Sequence, residues 1–238
     1  MSSVTVRATF AVGPYQRYAA RLREIGRRAG RRLYISAGQE QFIVSEFRRS
    51  YPGSDVAARW MGRAASTCPL DLWIYQEIAH ETRAEVIVAL ATSSAHCLTD
   101  LCRMTSRGEV LSIDPGTDVT ALDLLGVAHA ATDGRTSVTV IVGSTAGDDQ
   151  LAEVLDAYST LVTVDGYLIV EDTQGAVASP RGISRSQTVD AFLDRNSSFV
   201  VDHSREKFYF TFNPGGFLRR QRPLRAEIAS GFIHQTAS

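Results

Sequence analysis

The fold is decided by the stretch Val86-Ile87-Val88-Ala89-Leu90-Ala91-Thr92-Ser93-Ser94-Ala95-His96. Its first five residues form a continuous apolar run, which is typical of a strand buried on both faces of a parallel sheet. Small residues follow, and a helical pattern then begins with Cys97 and Leu98. A strand, a loop and a helix in this order predict the first unit of an α/β domain, with ligands bound at the carboxyl end of the strand.

Helical and strand patterns alternate from Asp71 onward. Apolar runs predict strands at 109–114, 138–142 and 167–170, and helical spacing predicts helices around Tyr75 and over 97–102, 148–162 and 188–196. We also expect a weak strand at 121–127 and an antiparallel hairpin formed by 199–203 and 207–212. The predicted fold class is therefore α/β: a Rossmann-like, doubly wound, mostly parallel sheet with a C-terminal antiparallel hairpin.

The two ends of the chain differ from this central pattern. Within residues 1–59, apolar residues recur at helical spacing opposite many arginines, which predicts a helical N-terminal extension. Its basic face is either a partner surface or, as for most charge runs, a solvated face. We expect the α/β domain at 60–220 and a polar C-terminal arm at 221–238.

Composition limits the classes of function. The chain has 238 residues, is 44% hydrophobic and carries a formal net charge of −1, so its bulk charge favours neither nucleic acid nor an anionic membrane. Its apolar runs are shorter than the roughly 18 to 20 residues of a membrane helix, and Met1 is not followed by a signal-peptide pattern. Three cysteines without metal spacing predict reduced thiols. We expect a cytoplasmic protein.

Four blocks of sequence, at 60–62, 68–77, 167–173 and 205–220, resemble the cephalosporin hydroxylase family. That family is similar to class I O-methyltransferases that use S-adenosylmethionine (SAM), including the rhamnosyl methyltransferases of natural-product pathways. The resemblance covers residues 60–220 and implies a class I methyltransferase fold, SAM and Mg²⁺ as cofactors, and a homo-oligomer.

The cofactor and metal positions implied by the resemblance hold other residues in this chain. Ala89 stands where the family has a glutamate, and Ala91, Ala95 and His96 stand where it has glycines, which tolerate a positive φ. Gly143, Thr145 and Ala146 take the places of two aspartates and a histidine around a divalent metal. We therefore expect neither SAM nor a metal to be bound.

Three acids of the implied site remain. Asp114 corresponds to an acid near the cofactor ribose, and Glu171 and Asp172 correspond to metal-binding acids of the family. Without their partners, the last two either recruit a metal weakly, act as general acid or base, or accept hydrogen bonds from backbone N–H groups.

The residues predicted to line the site follow from these positions. We predict Asp172, Glu171 and His96 as catalytic residues. The predicted substrate contacts are Asp114, Ala91, Gly143, Thr145, Trp73 and Tyr75. Cys97 beside His96 suggests a nucleophile pair, but side chains of neighbours on a helix diverge, so a buried core cysteine is the favoured interpretation.

Three functions are compatible with this pattern. The favoured one is a cofactor-independent enzyme of natural-product biosynthesis that cyclises or rearranges a small-molecule intermediate in the old cleft. The second is a non-catalytic partner of a pathway enzyme. The third is a SAM-dependent O-methyltransferase with a changed cofactor loop. An open cleft beside Asp172 would favour the first, and a loop that keeps the glycine geometry would favour the third.

Overall fold

The structure is a computed structural model that describes residues 59–65, 67–116, 118–143, 148–174, 184–208 and 211–222. Eight strands lie in the described residues: β1 (Arg59–Trp60), β2 (Arg63–Ala64), β3 (Val86–Leu90), β4 (Glu109–Ile113), β5 (Val138–Val142), β6 (Tyr167–Val170), β7 (Phe199–Val201) and β8 (Phe217–Arg220). The α-helices there are α1 (Pro69–Glu81), α2 (Ala95–Thr105), α3 (Leu125–Thr132), α4 (Leu151–Tyr158) and α5 (Arg185–Arg195). Short 3₁₀ turns flank α4 and follow β7.

Six of the strands form one mostly parallel sheet in the order β4-β3-β5-β6-β8-β7. Strand β3 pairs in parallel with β4 and β5, and β5 pairs in parallel with β6, whereas β8 runs antiparallel to both β6 and β7. The register places Leu90 beside Val142 and Val142 beside Val170. The carboxyl ends of β3, β5 and β6 therefore meet at one edge of the sheet, and the predicted α/β class is confirmed.

Both faces of the sheet are covered, which explains the unbroken apolar runs. Val88 and Val140 face one cluster that includes Tyr158 of α4 and Phe192 of α5. On the other face, Ile87, Ile141 and Ile169 contact Ile74 and Ile78 of α1 and Leu98 of α2. Alternating residues of each strand thus serve opposite faces, and full burial of one such side chain contributes about 1.5 to 3 kcal/mol.

The strand predicted at 121–127 is wrong. Residues 121–124 form a turn and α3 follows at once. Thr120 and Asp123 bond reciprocally: the Thr120 N–H donates to Asp123 Oδ2 at 2.8 Å, and the Asp123 N–H donates to Thr120 Oγ1 at 3.3 Å. These two bonds close the turn that precedes α3, whose own N-cap, Leu124, has no side-chain cap hydrogen bond.

The hairpin prediction is half correct. Strand β7 lies where it was expected, but its antiparallel partner is β8, from Phe217 to Arg220, and not the segment 207–212. The sequence at 213–216 therefore leads into the last strand. Gly216 has room there only for a hydrogen, because a Cβ would lie 2.3 Å from the Val170 carbonyl oxygen.

The remaining helix and strand predictions agree with the structure within a few residues. Helix α5 begins three residues before the predicted start because Ser184 and Gln187 form a complete capping box. The arginine-rich segment lies outside the described residues, as does the arm beyond Arg222, so the proposed division at 60 and 221 stays a prediction. Within the described ranges, no helix has the length and apolar character needed to span a membrane.

Candidate active site at the carboxyl edge of the sheet

The loop after β3 packs directly against the end of β5. Ala91 has a φ of +51°, in the left-handed region that glycine prefers. A Cβ placed on Gly143 would lie 2.0 Å from the Ala91 carbonyl oxygen, so only glycine allows this approach. The Gly143 N–H also donates to the Leu90 carbonyl at 2.8 Å. The loop therefore keeps a backbone conformation typical of a glycine although it holds an alanine.

Glu171 follows β6, and its carboxylate accepts hydrogen bonds from three hydroxyl groups. The donors are Tyr75 OH at 3.0 Å, Thr92 Oγ1 at 2.7 Å and Ser94 Oγ at 3.1 Å. The side chain is buried. Burial raises the pKa of the Glu171 carboxyl, and the three hydroxyl groups act in the opposite direction. Glu171 therefore joins α1 and the β3 loop to the end of β6.

Arg185, the first residue of α5, is a buried cation at the same edge. Its Nε donates to the Glu171 carbonyl oxygen and its Nη2 to the Gly143 carbonyl oxygen, each at 2.9 Å. The ends of β5 and β6 are thus held by one guanidinium group. The positive charge of Arg185 also lowers the pKa of the Glu171 carboxyl, against the effect of burial.

Asp172 is half-buried beside Glu171 and has a φ of +57°. Its N–H donates to Asn213 Oδ1 at 2.9 Å, while Asn213 Nδ2 donates to Tyr75 OH at 2.8 Å. One asparagine side chain therefore holds the strained backbone of Asp172 and orients the phenol that bonds to Glu171. Sparsely populated backbone conformations of this kind cluster at functional sites.

A second buried carboxyl group supports the same segment. Asp71 of α1 accepts hydrogen bonds from Thr211 Oγ1 and from the Phe212 N–H, and Thr211 Oγ1 accepts one from the Asn213 N–H at 3.0 Å. Burial raises the pKa of Asp71 from 3.8 to about 7. The sequence analysis did not identify Asp71, Asn213 or Arg185. The first two lie within the family-like blocks, which was the available signal.

His96 lies at the start of α2, and its Nε2 is 3.3 Å from Cys97 Sγ. The two side chains therefore meet, and the expectation that they diverge is wrong. Cys97 is nevertheless buried, and burial raises the pKa of its thiol to about 11. A thiol with this pKa is protonated at neutral pH, so the pair does not supply an activated nucleophile.

The other predicted substrate contacts are dispersed. Tyr75 is buried within the hydrogen-bonded network, whereas Trp73 is 58% exposed and donates from Nε1 to Glu77 Oε1 at 2.9 Å along the outer side of α1. Asp114 directly follows β4 and is exposed. Thr145 lies outside the described residues. The structure thus brings together Ala91, Gly143, Glu171, Asp172 and Tyr75.

The residues at this edge do not fit a divalent metal at Glu171. Both carboxylate oxygens already accept hydrogen bonds from the protein, whereas a hard cation needs such oxygens as ligands. Within the described parts of the chain, no three histidine, cysteine, aspartate or glutamate side chains form a group able to hold a metal. Ala146 is not described, so the absence of a metal stays a prediction.

The fit to SAM is mixed. Ala89 is buried in β3 and supplies no carboxylate, but Ala91 retains the left-handed turn that follows the strand.

Comparison with known proteins agrees with the fold. Residues 117–221 match the family model described as Rhamnosyl O-methyltransferase/CmcI. The matched span includes Glu171 and Asp172 and leaves out the β3 loop. None of the curated proteins matches the chain.

Solved structures of CmcI resemble the chain at the level of the fold. An apo-structure of CmcI superposes with a TM-score of 0.53 and 18% sequence identity, covering 75% of this chain and 84% of that one. A CmcI structure with Mg-SAM gives a TM-score of 0.50 and 17% identity, with 74% and 84% coverage. The predicted resemblance is thereby confirmed: residues 117–221 are similar to the Rhamnosyl O-methyltransferase/CmcI family, and the described part of the chain has a fold like that of CmcI.

Proposed function

We propose that the protein is an enzyme whose substrate is a small molecule. The substrate binds at the carboxyl edge of the methyltransferase-fold sheet, and the reaction uses neither a divalent metal nor SAM. Its reaction is a cyclisation or rearrangement, in which substrate and product are isomers and no group is taken from a cofactor. The substrate class is an intermediate of natural-product biosynthesis, and the protein acts as a homo-oligomer in the cytoplasm.

The observation that carries this proposal is the environment of Glu171. A carboxylate that accepts hydrogen bonds from Tyr75, Thr92 and Ser94 has its oxygens directed into the protein. Opening them to a metal would leave three buried or half-buried hydroxyl groups without their acceptor, at about 1 to 3 kcal/mol for each. In this proposal Glu171 braces the site and does not take part in the chemistry.

Asp172 is then the acid that acts on the substrate. It lies next to Glu171 at the edge where α/β proteins bind ligands, and Asn213 fixes its backbone. A half-buried carboxyl group is suited to take a proton from one atom of a substrate and return it to another. His96 at the start of α2 is proposed as the second proton-transfer group, because one ring nitrogen of an imidazole can donate a proton while the other accepts one.

A second candidate function is SAM-dependent O-methylation without a metal. It is favoured by Ala91, whose φ of +51° keeps the turn that a glycine would make after β3. It is disfavoured by Ala89, because a buried methyl group there offers no acceptor to a cofactor hydroxyl. The two candidates differ in the mass of their products.

A comparison of metabolites from the host organism tests the proposal. The gene is deleted, and the strain is complemented with the wild-type gene, Asp172→Asn, or the matched control Asp194→Asn on α5. Asp194 is exposed and lies near the end of that helix opposite Arg185. We expect a compound that accumulates in the deletion strain and an isomer of it that returns with the wild type and the control but not with Asp172→Asn.

Other outcomes overturn the proposal. A product heavier by one CH₂ unit identifies methylation. If Asp172→Asn restores the isomer at the wild-type level, Asp172 does not transfer a proton in the reaction. That result supports the alternative that the protein is a non-catalytic partner of a pathway enzyme.

A further inference from the structure

We propose that Arg185 is the fixed cation of the carboxyl edge, and that its guanidinium group does there what a bound divalent ion would otherwise do. It joins the ends of β5 and β6 and places a positive charge near the Glu171 carboxyl group. The inference concerns how the site is assembled. It does not depend on which reaction the site performs.

The first argument is the set of atoms around this side chain. The main-chain oxygens of Gly143 and Glu171 both point at the guanidinium group, each at 2.9 Å from a nitrogen. The Glu171 carboxylate is close enough for the charge of Arg185 to lower its pKa. Two carbonyl oxygens directed at one buried positive charge are the kind of ligand that hard cations select.

The second argument is the position of Arg185 in its helix. Arg185 directly follows the cap residue Ser184, so it lies at the positive end of the α5 dipole, where a cation is disfavoured. It is also 5% exposed, although arginine is almost never fully buried unless it is paired. A residue that is unfavourable for both reasons indicates a specific compensating interaction, and the two strand ends with Glu171 supply it.

The third argument is the shape of the group. A guanidinium is planar and presents its donors as a fork, so Nε and Nη2 reach two separate carbonyl groups at once. A lysine ammonium in the same place would keep the charge but would lack this two-point geometry. The two properties of Arg185, its charge and its fork, can therefore be separated by substitution.

Thermal unfolding of four proteins tests the inference: wild type, Arg185→Ala, Arg185→Lys and the control Arg195→Ala. Arg195 lies at the other end of α5 and forms an exposed ion pair with Asp156. We expect Arg185→Ala to lower Tm by about 10 °C, because it leaves the buried carbonyl oxygens of Gly143 and Glu171 without their donor. Arg185→Lys should fall between Arg185→Ala and the wild type, and Arg195→Ala should change Tm by no more than about 2 °C.

Added ions sharpen the test. Millimolar guanidinium should raise the Tm of Arg185→Ala and leave the control unchanged, whereas urea at the same concentration should not. Mg²⁺ should also raise the Tm of Arg185→Ala, because it uncovers oxygens suited to a hard cation. The wild type should show no response to Mg²⁺, and electron paramagnetic resonance should detect no Mn²⁺ bound to it.

Several results would overturn the inference. These are a Tm of Arg185→Ala equal to that of the control, a Tm of Arg185→Lys equal to that of Arg185→Ala, or Mn²⁺ bound to the wild type. Where Arg185→Ala does not fold, the Mn²⁺ measurement on the wild type decides alone. No readout uses catalytic turnover, so failure here is distinguishable from failure of the proposed reaction.

Discussion

Tyr75 and Glu171 are separated by 96 positions in the sequence, and the phenol of the first donates a 3.0 Å hydrogen bond to the carboxylate of the second. The same oxygen of Tyr75 accepts a hydrogen bond from Asn213 Nδ2. The phenol thus connects α1, the end of β6 and the segment before β8. A buried hydroxyl that both donates and accepts is costly to remove, because each partner then loses its bond.

We predict that Tyr75→Phe lowers the free energy of unfolding by about 1 to 3 kcal/mol, because it leaves a buried carboxylate and a buried amide each short of one partner. The measurement is unfolding in urea. Tyr158→Phe is the matched control, since Tyr158 is equally buried and donates only to the Ala121 carbonyl oxygen. A loss no larger than that of the control would show that the phenol does not join the three segments.

The pH dependence of stability should report on Asp71. Its pKa is raised from 3.8 to about 7 in the folded protein by burial, so the unfolded chain releases this proton at lower pH than the folded chain does. The contribution of Asp71 to stability is therefore greatest below about pH 4 and is lost as the pH rises to about 7.

Substitution isolates this contribution. We expect the stability of the wild type to fall relative to that of Asp71→Asn between pH 4 and pH 7, measured by urea unfolding at several pH values, and the difference to be constant above pH 7. Asp123 is the control, because hydrogen bonds from Thr120 lower the pKa of its carboxyl. Its contribution to stability should therefore change with pH in the direction opposite to that of Asp71. A constant difference between wild type and Asp71→Asn across pH 4 to 7 would contradict the raised pKa.

Substitutions of Asp172 should distinguish the effect of its backbone conformation on stability from the effect of its carboxylate on activity. Glycine adopts a φ of +57° freely and asparagine tolerates it, whereas alanine pays about 1 kcal/mol or more. We predict that Asp172→Gly and Asp172→Asn are each more stable to heat than Asp172→Ala, which must hold the same φ with an unfavourable Cβ. All three should lose activity. An active Asp172→Gly would remove the carboxylate from the proposed chemistry.

Ala91→Gly should stabilise the protein by up to about 1 kcal/mol, because it removes the Cβ from a residue with a φ of +51°. The matched control is Ala89→Gly in β3, where the backbone is extended and glycine should destabilise by about 0.5 to 1 kcal/mol. Chemical unfolding of both variants gives the comparison. A destabilised Ala91→Gly would show that the methyl group contributes packing that outweighs the strain.

The central strands were predictable because each is a local pattern. Strands β3, β5 and β6 are runs of four or five buried residues, nearly all apolar. Such a run can be recognised from the segment alone, without knowing which strands pair with it. The segment at 121–127 has similar apolar content, but hydrogen bonds between Thr120 and Asp123 close a turn there and a helix follows from Leu125. β8 is only four residues long and contains two arginines, so its pattern is weak.

The acids of the site were predictable and their partners were not. Glu171 and Asp172 were identified because they end a strand and match a family block. Arg185 and Asn213 act through contacts with residues 14 to 138 positions away, which leave no periodic signal in the sequence. Glu171 was predicted to be catalytic, and we propose a structural role for it instead. The sequence could not indicate this role, because the three hydroxyl donors to its carboxylate come from α1 and the β3 loop.

The most direct test of the central claim is calorimetric titration of the purified protein with SAM and with S-adenosylhomocysteine, each with and without Mg²⁺. The account predicts no binding heat at high ligand concentration and no change on adding Mg²⁺, because Glu171 and Arg185 close the carboxyl edge to a metal and Ala89 supplies no acceptor to the cofactor. Tight binding of SAM that strengthens with Mg²⁺ would contradict it and would identify a metal-dependent methyltransferase with an altered loop.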